Sequence, residues 1–323
     1  MNPNIIIDSF NKAGQTVHIV KPEEGKLGLP VLLDYIKAEK ATLDQLFRTA
    51  GAILFRGFDI HEKEDFLQIK ELYAGASNFD YVDGNSPRTK LSTAVYTSTE
   101  YPQELRIPLH SEMSYSNKWP EILFFFCKTP SAEGGETPVA DCRLILNELS
   151  SEIVSNFENY GVKYTRYLSG KSGMGKTWMD TFESSDKSVI EKYCQENGVE
   201  YFWEKEALFI GQSGVGVARH PITKEKVWFN QANQFHPSGL PEEVYKGLKL
   251  LYSKNTHRFP QYAFYGNGGE IDEKHIKEIT EVHFDYALKF IWEKGDVLML
   301  DNMLMAHGRM PFKGDRKIYV SMC

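Results

Sequence analysis

The sequence predicts an α+β fold in which strands from both ends of the chain close one barrel around a helix-containing middle. Three observations carry this reading. Aromatic residues (20 Phe, 17 Tyr, 5 Trp) occur with 14 Pro and 25 Gly, a mixture that suits pleated sheets and tight turns better than a helical bundle. From Leu109 onward short apolar runs alternate with Gly, Pro and Asn, the punctuation that antiparallel strands require. The last stretch then offers three strand-like runs, at 283–292, 296–300 and 317–322, after helical spacing at 142–160, 186–197, 241–254 and 272–279.

In chain order, residues 40–50 have the apolar spacing of an amphipathic helix, and Gly51-Ala-Ile-Leu-Phe-Arg-Gly-Phe58 follows as a short buried strand. Helical spacing returns at 64–73, and Asp80 to Arg88 is loop chemistry. No repeat, low-complexity stretch or linker divides the chain. A layout with strands at both ends lets distant residues meet in one site. The chain therefore reads as a single domain over 1–323, with an insertion at about 142–280.

Composition excludes several classes. At 41% hydrophobic and 25% charged, 323 residues can bury a large core without covalent staples. The net charge of −7 lacks the basic patch of a nucleic-acid binder. The opening aliphatic run stops at Asp8, too short for a signal peptide, and no apolar run approaches a membrane span. Cys127, Cys142, Cys194 and Cys323 lack paired spacing, so free thiols and a cytoplasmic location are expected.

The chemistry centres on histidines. A His-x-Asp/Glu pair on a strand aims both side chains at one face. It forms the local half of the two-histidine, one-carboxylate set that holds non-haem Fe(II) with coordination positions left open. With 9 His and 44 acidic residues in the chain, chance supplies roughly one such pair. The sequence has two, His110-Ser-Glu112 and His283-Phe-Asp285. His307 is the candidate third ligand. It lies 24 residues from His283, enough for little intervening fold, but 197 from His110, room for a barrel and an inserted cover. His110, Glu112 and His307 are thus the expected set, with His283 placed in an alternating strand. Thr137 follows a Gly-Gly turn, and Arg316 opens the final strand. A dicarboxylate co-substrate needs a cation at its far end, for which Arg is better shaped than Lys, and Thr137 can add a hydroxyl.

Taken together, these pieces resemble the taurine dioxygenase (TauD/TfdA-like) family of Fe(II)/2-oxoglutarate oxygenases. The similarity is greatest to the branch with clavaminate synthase and the carrier-bound aspartate hydroxylase of the syringomycin pathway. The matching segments are 51–58, Ile107-Pro-Leu-His-Ser-Glu-Met113, Gly134-Gly-Glu-Thr-Pro138, His220-Pro-x-Thr223 with Val227-Trp-Phe-Asn230, 295–302, and His307-Gly-Arg-x-Pro-Phe312 with Arg316. The resemblance implies a double-stranded β-helix of the jelly-roll, cupin-like kind, with flanking helices and a helical lid insertion. It implies His110, Glu112 and His307 as iron ligands, and Thr137 and Arg316 as binders of 2-oxoglutarate. The reaction implied uses O2, converts 2-oxoglutarate to succinate and hydroxylates an unactivated C–H bond. Its substrate would be a small carboxylate, an amino acid either free or tethered to a carrier protein. Two positions depart from the pattern. Glu112 replaces the commoner Asp, which keeps a carboxylate ligand and so favours hydroxylation over halogenation, and Lys224 stands where relatives often have a turn glycine.

Two other readings compete. Gly170-Lys-Ser-Gly-Met-Gly-Lys-Thr177 satisfies the phosphate-loop pattern of nucleotide hydrolases, with 297–301 as its acidic strand. Such a loop should follow a buried parallel strand, whereas 162–168 alternates with Lys163 and Arg166. The alternative to a phosphate loop is a glycine-rich lid, with Lys176 and Trp178 as substrate contacts. A non-catalytic cupin-like binding protein would share the barrel but has no need of the complete ligand set and Arg316. For a substrate carboxylate, Arg309 and Arg219 are the candidate counter-ions.

Overall fold

A computed structural model describes residues 4–86, 88–92, 95–99, 101–171, 175–252 and 255–323. Pro87 of the 80–88 loop, residues 172–174 of the phosphate-loop pattern and residues 253–254 of the predicted helical stretch lie outside them. Among the described residues no helix is long and apolar enough to cross a membrane. All four cysteines are free thiols, and all but Cys323 are buried.

A seven-stranded sheet forms the first layer. Its strands run in the order Ile5–Lys12, Gln15–Pro22, Ala52–Phe55, Val297–Asp301, Ile122–Thr129, Lys317–Met322 and Tyr96–Thr97. Only the second and third pair in parallel. The strand Ile122–Thr129 shows how the period-two pattern serves two cores. Phe124 and Phe126 pack on one face against Leu43, Phe47, Phe66 and Ile69 from the helices Lys40–Ala50 and Lys63–Ala74. Leu123, Phe125 and Cys127 point the other way and join Leu109, Val139 and Met305. Each such side chain, fully buried, contributes about 2 kcal/mol.

The second layer is a three-stranded sheet of Val139–Asp141, Met305–Arg309 and Ile107–His110, with Met305–Arg309 in the centre. Segments almost 200 residues apart in sequence therefore meet inside the molecule. The 142–280 stretch adds a four-stranded antiparallel sheet, ordered Glu200–Glu204, Ala207–Gly214, Val162–Leu168, Gln261–Tyr265. Val162, Tyr164 and Tyr265 of this sheet, with Phe157 of the helix Ser151–Tyr160, belong to the same apolar cluster as Leu109 and Met305, so this outer sheet is packed onto the central core.

One sequence expectation changes. Residues 283–286 are not strand: they end the helix Glu273–Tyr286, whose buried stripe is Ile276, Ile279 and His283. The apparent alternation at 283–292 mixes the last helical turn with an irregular approach to the next strand. His283 Nδ1 donates to the Ile279 carbonyl, 2.7 Å away, as a back-bonded core residue. The phosphate-loop context is absent, as the alternation at 162–168 predicts: Val162–Leu168 has antiparallel neighbours on both sides and the helix after it spans only Trp178–Phe182. Lys224, in place of a turn glycine, takes φ +63°, and the hairpin still closes, with Arg219 opposite Lys226.

Candidate active site

His110 ends its strand directly opposite His307, their rings 4.6 Å apart centre to centre. Glu112 follows two residues later, and Met113 then turns the chain away at φ +56°. Oε2 of Glu112 stands 4.0 Å from Nε2 of His110 and 3.9 Å from Nε2 of His307. All three side chains are buried, and their ligand atoms lie within 4.8 Å of one another.

Protonation favours a metal. Nδ1 of His110 lies 2.9 Å from the Pro108 carbonyl and 3.0 Å from the Gln234 amide, so Nε2 is the ring nitrogen that faces Glu112. Burial holds the His110 imidazole below its ordinary pKa, although Glu112 partly opposes this. The His307 ring is held well below, first by burial and then by His110. Two neutral imidazoles and a carboxylate are the donor set of a non-haem iron site. His307 Nδ1 is buried with no hydrogen-bond partner. Asn302, fully buried, fixes the carboxylate ligand's backbone: its Oδ1 accepts from Glu112 N–H at 2.7 Å, and its Nδ2 donates to the Glu112 and Pro120 carbonyls.

A narrow cavity opens from the histidines toward Phe125, Thr137, Arg309 and Arg316. Arg316 is brought here by the Gly134-Gly135 turn: its Nε donates to the Gly135 carbonyl at 2.8 Å, and Nη1 and Nη2 lie 3.4 Å from Ser98 Oγ and Thr137 Oγ1. Trp292 Nε1 donates to the same Thr137 oxygen at 3.1 Å. Burial, reinforced by Arg309, pulls the Arg316 guanidinium down to about 10. Its recorded partners are all neutral, so an anion entering the cavity would complete its bonding.

The remaining predicted residues are scattered. Arg309 is buried but spends Nη1 and Nη2 on the carbonyls of Tyr101, Pro102 and Leu105. Arg219 is exposed and donates to the Lys224 carbonyl. Trp178 packs among Leu168, Phe182 and Leu208, with its Nε1 on the Glu206 carbonyl, and lines neither cavity described here. Lys176 does line a second cavity, where it donates to the Gly84 carbonyl, and burial lowers its amine to about 8.

Two residues that the sequence did not single out touch the carboxylate ligand. Arg88 forms a buried ion pair with Oε2 of Glu112, and Tyr81 donates to Oε1 at 3.2 Å. Both come from the 80–88 loop, where no periodicity marks a functional side chain. The loop is fixed by Asp83, at φ +69°, whose carboxylate pairs with Arg166 of the outer sheet and accepts from Gln212.

A buried face of two histidines and one carboxylate, beside a cavity lined by arginines, defines a non-haem metal oxygenase that takes an anionic co-substrate. Residues 13–322 match the family of the taurine catabolism dioxygenase TauD, TfdA, and the chain belongs to it. It is 34% identical over 281 residues to the dapdiamide synthesis protein DdaC of Enterobacter agglomerans, covering 87% of this chain and 84% of that one. It is 29% identical over 313 residues to a clavaminate synthase-like protein of Arabidopsis thaliana, covering 92% and 88%. In fold it is similar to PvcB, an Fe, alpha-ketoglutarate dependent oxygenase from an isonitrile synthetic pathway. That match has TM-score 0.55 and 13% identity, and covers 98% of this chain and 91% of that one. It is also similar to AAD-2 in complex with Mn(II) and N-oxalylglycine, with TM-score 0.51, 13% identity and coverage of 99% and 96%. The protein is an Fe(II)- and 2-oxoglutarate-dependent dioxygenase.

Proposed function

We propose that this dioxygenase hydroxylates an unactivated C–H bond of a small carboxylate substrate, an amino acid either free or tethered to a carrier protein, in specialised metabolism. The similarity to a dapdiamide synthesis protein supports the metabolic setting. The observation that carries the substrate reading is the second cavity, about 1050 Å³, which shares Arg88, Thr99 and Ile107 with the cavity beside the histidines. That volume is at the upper end of small-molecule sites, and the shared residues set it beside the cavity that His110 and His307 line.

In this reading His110, Glu112 and His307 would hold Fe(II), which would supply the oxidising chemistry together with 2-oxoglutarate and O2. Arg316 and Thr137 bind the distal carboxylate of 2-oxoglutarate. Phe125 and Ile318 exclude water beside them. The protein acts as one domain, a jelly roll formed by the two inner sheets, with the 142–280 insertion covering the substrate cavity. The antiparallel neighbours of Val162–Leu168, the strand that precedes the Lys176 loop, remove the support for a nucleotide hydrolase.

Anaerobic addition of Fe(II) and 2-oxoglutarate should produce a visible charge-transfer band that His110→Ala abolishes. A wild-type protein without that band would defeat the iron assignment. With O2 and a panel of free and carrier-loaded amino acids, succinate and a product 16 mass units heavier are expected. Silence across the panel would remove the amino-acid reading and leave the oxygenase.

A further inference from the structure

We infer that Arg88 is the anchor for a carboxylate of the substrate, set at the junction of the metal face and the large cavity. The inference rests on the function proposed above and names the contact that selects the substrate.

The guanidinium is buried, with 3% of the side chain exposed. Nη2 bonds Glu112, and the plane lies against Tyr81, with Cζ 5.0 Å from the ring centre. Nε and Nη1 are buried and have no hydrogen-bond partner among the described residues. Donors of a buried charge left unmade are costly, and such groups persist in native proteins where a ligand or water completes them. Water alone could fill them, but position argues for a ligand. Arg88 lines both cavities, so a molecule reaching from the large cavity to the metal face passes beside its side chain.

The other cations of the large cavity are less suited. Arg106 is exposed, with its guanidinium over the Phe284 ring, and Lys176 already donates to Gly84. A planar fork with free donors in a site closed to solvent matches a carboxylate, which can accept two parallel bonds. Glu112 neutralises Arg88 only in part once it also serves a metal, which leaves positive charge for a substrate anion. The co-substrate offers the same chemistry, but Arg316 and Thr137 already provide a cation and a hydroxyl for its distal end.

The test pairs each amino acid of the panel with its α-amide, and aspartate and glutamate with asparagine and glutamine. Binding to the anaerobic enzyme containing Fe(II) and 2-oxoglutarate is read from the charge-transfer band, and turnover from succinate under O2. In the wild type, amidation of the anchored carboxylate should weaken binding at least tenfold. In Arg88→Gln that acid-to-amide ratio should fall below about threefold, with Arg88→Lys intermediate. The 2-oxoglutarate Kd, titrated without substrate, should change less than the substrate Kd. An acid preference that survives in both variants overturns the inference, as does wild-type turnover indifferent to amidation; in both cases the proposed function stands. A tenfold rise in the 2-oxoglutarate Kd with the substrate ratio unchanged assigns Arg88 to the co-substrate instead. A panel without any succinate release overturns the proposed function, and the inference with it.

Discussion

Asn302 shows how much of this site depends on a side chain that never touches substrate. Its amide makes three hydrogen bonds in a fully buried position, two of them to the backbone of Glu112. Asn302→Ala would leave three polar backbone groups unpaired at about 1 to 3 kcal/mol each, not fully additive. We expect a loss of about 3 kcal/mol in urea unfolding and Fe(II) binding at least tenfold weaker, since groups that orient metal ligands typically count for 10- to 100-fold. Asn302→Asp keeps the acceptor but turns an oxygen toward two carbonyls, so it should be the worse variant in both measurements. The residue lay within a recognised motif, yet its task was unreadable there. Its partners are 190 and 182 positions away, and only the folded chain brings them together. His110, Glu112 and His307 were legible because two of the three follow a local spacing rule and the third had a recognisable sequence around it.

Among the elements, the Gly134-Gly135 turn links sequence to cofactor chemistry most directly. Gly135 has φ +73°, and a Cβ there would meet Ser131 Oγ at 2.4 Å and Arg316 Cδ at 3.0 Å. The turn must therefore be bare for Arg316 to lie against it. Gly135→Ala should displace the guanidinium and raise the 2-oxoglutarate Kd about tenfold, near 1.4 kcal/mol, while Fe(II) binding without co-substrate stays close to wild type. Equal losses of both would show that the turn supports the whole barrel. This turn was legible because Gly-Gly before a strand has a specific backbone meaning. The helix Glu273–Tyr286 was read too short, because His283 and Asp285 satisfy a strand rule by chance while the true stripe of Ile276, Ile279 and His283 follows the helical period. The 80–88 loop was read correctly as a loop and underestimated as a site. Loop composition says nothing about which residue reaches inward, and Arg88 does so through the Asp83, Arg166 and Gln212 network that the outer sheet supplies.

Across the chain as a unit, the site joins segments 197 residues apart in sequence, so binding there should couple to global stability. The net charge of −7 gives no hint of this, because among the described residues three arginines and no carboxylate line the cavity beside the histidines. A ligand that binds only the folded state stabilises it by about 2.7 kcal/mol at 100 times its Kd. With an unfolding entropy of about 2.1 cal/mol/K per residue, 323 residues convert this to a rise of about 4 °C in Tm. Anaerobic melting with Fe(II) at that excess should show such a shift, and 2-oxoglutarate should add a further rise only when the metal is present. His110→Ala and His307→Ala should each lose both increments, although they lie 197 residues apart in sequence. An increment from 2-oxoglutarate that persisted in His307→Ala would mean that Arg316 and Thr137 bind the dicarboxylate without the metal, and that the two halves of the site are energetically separate.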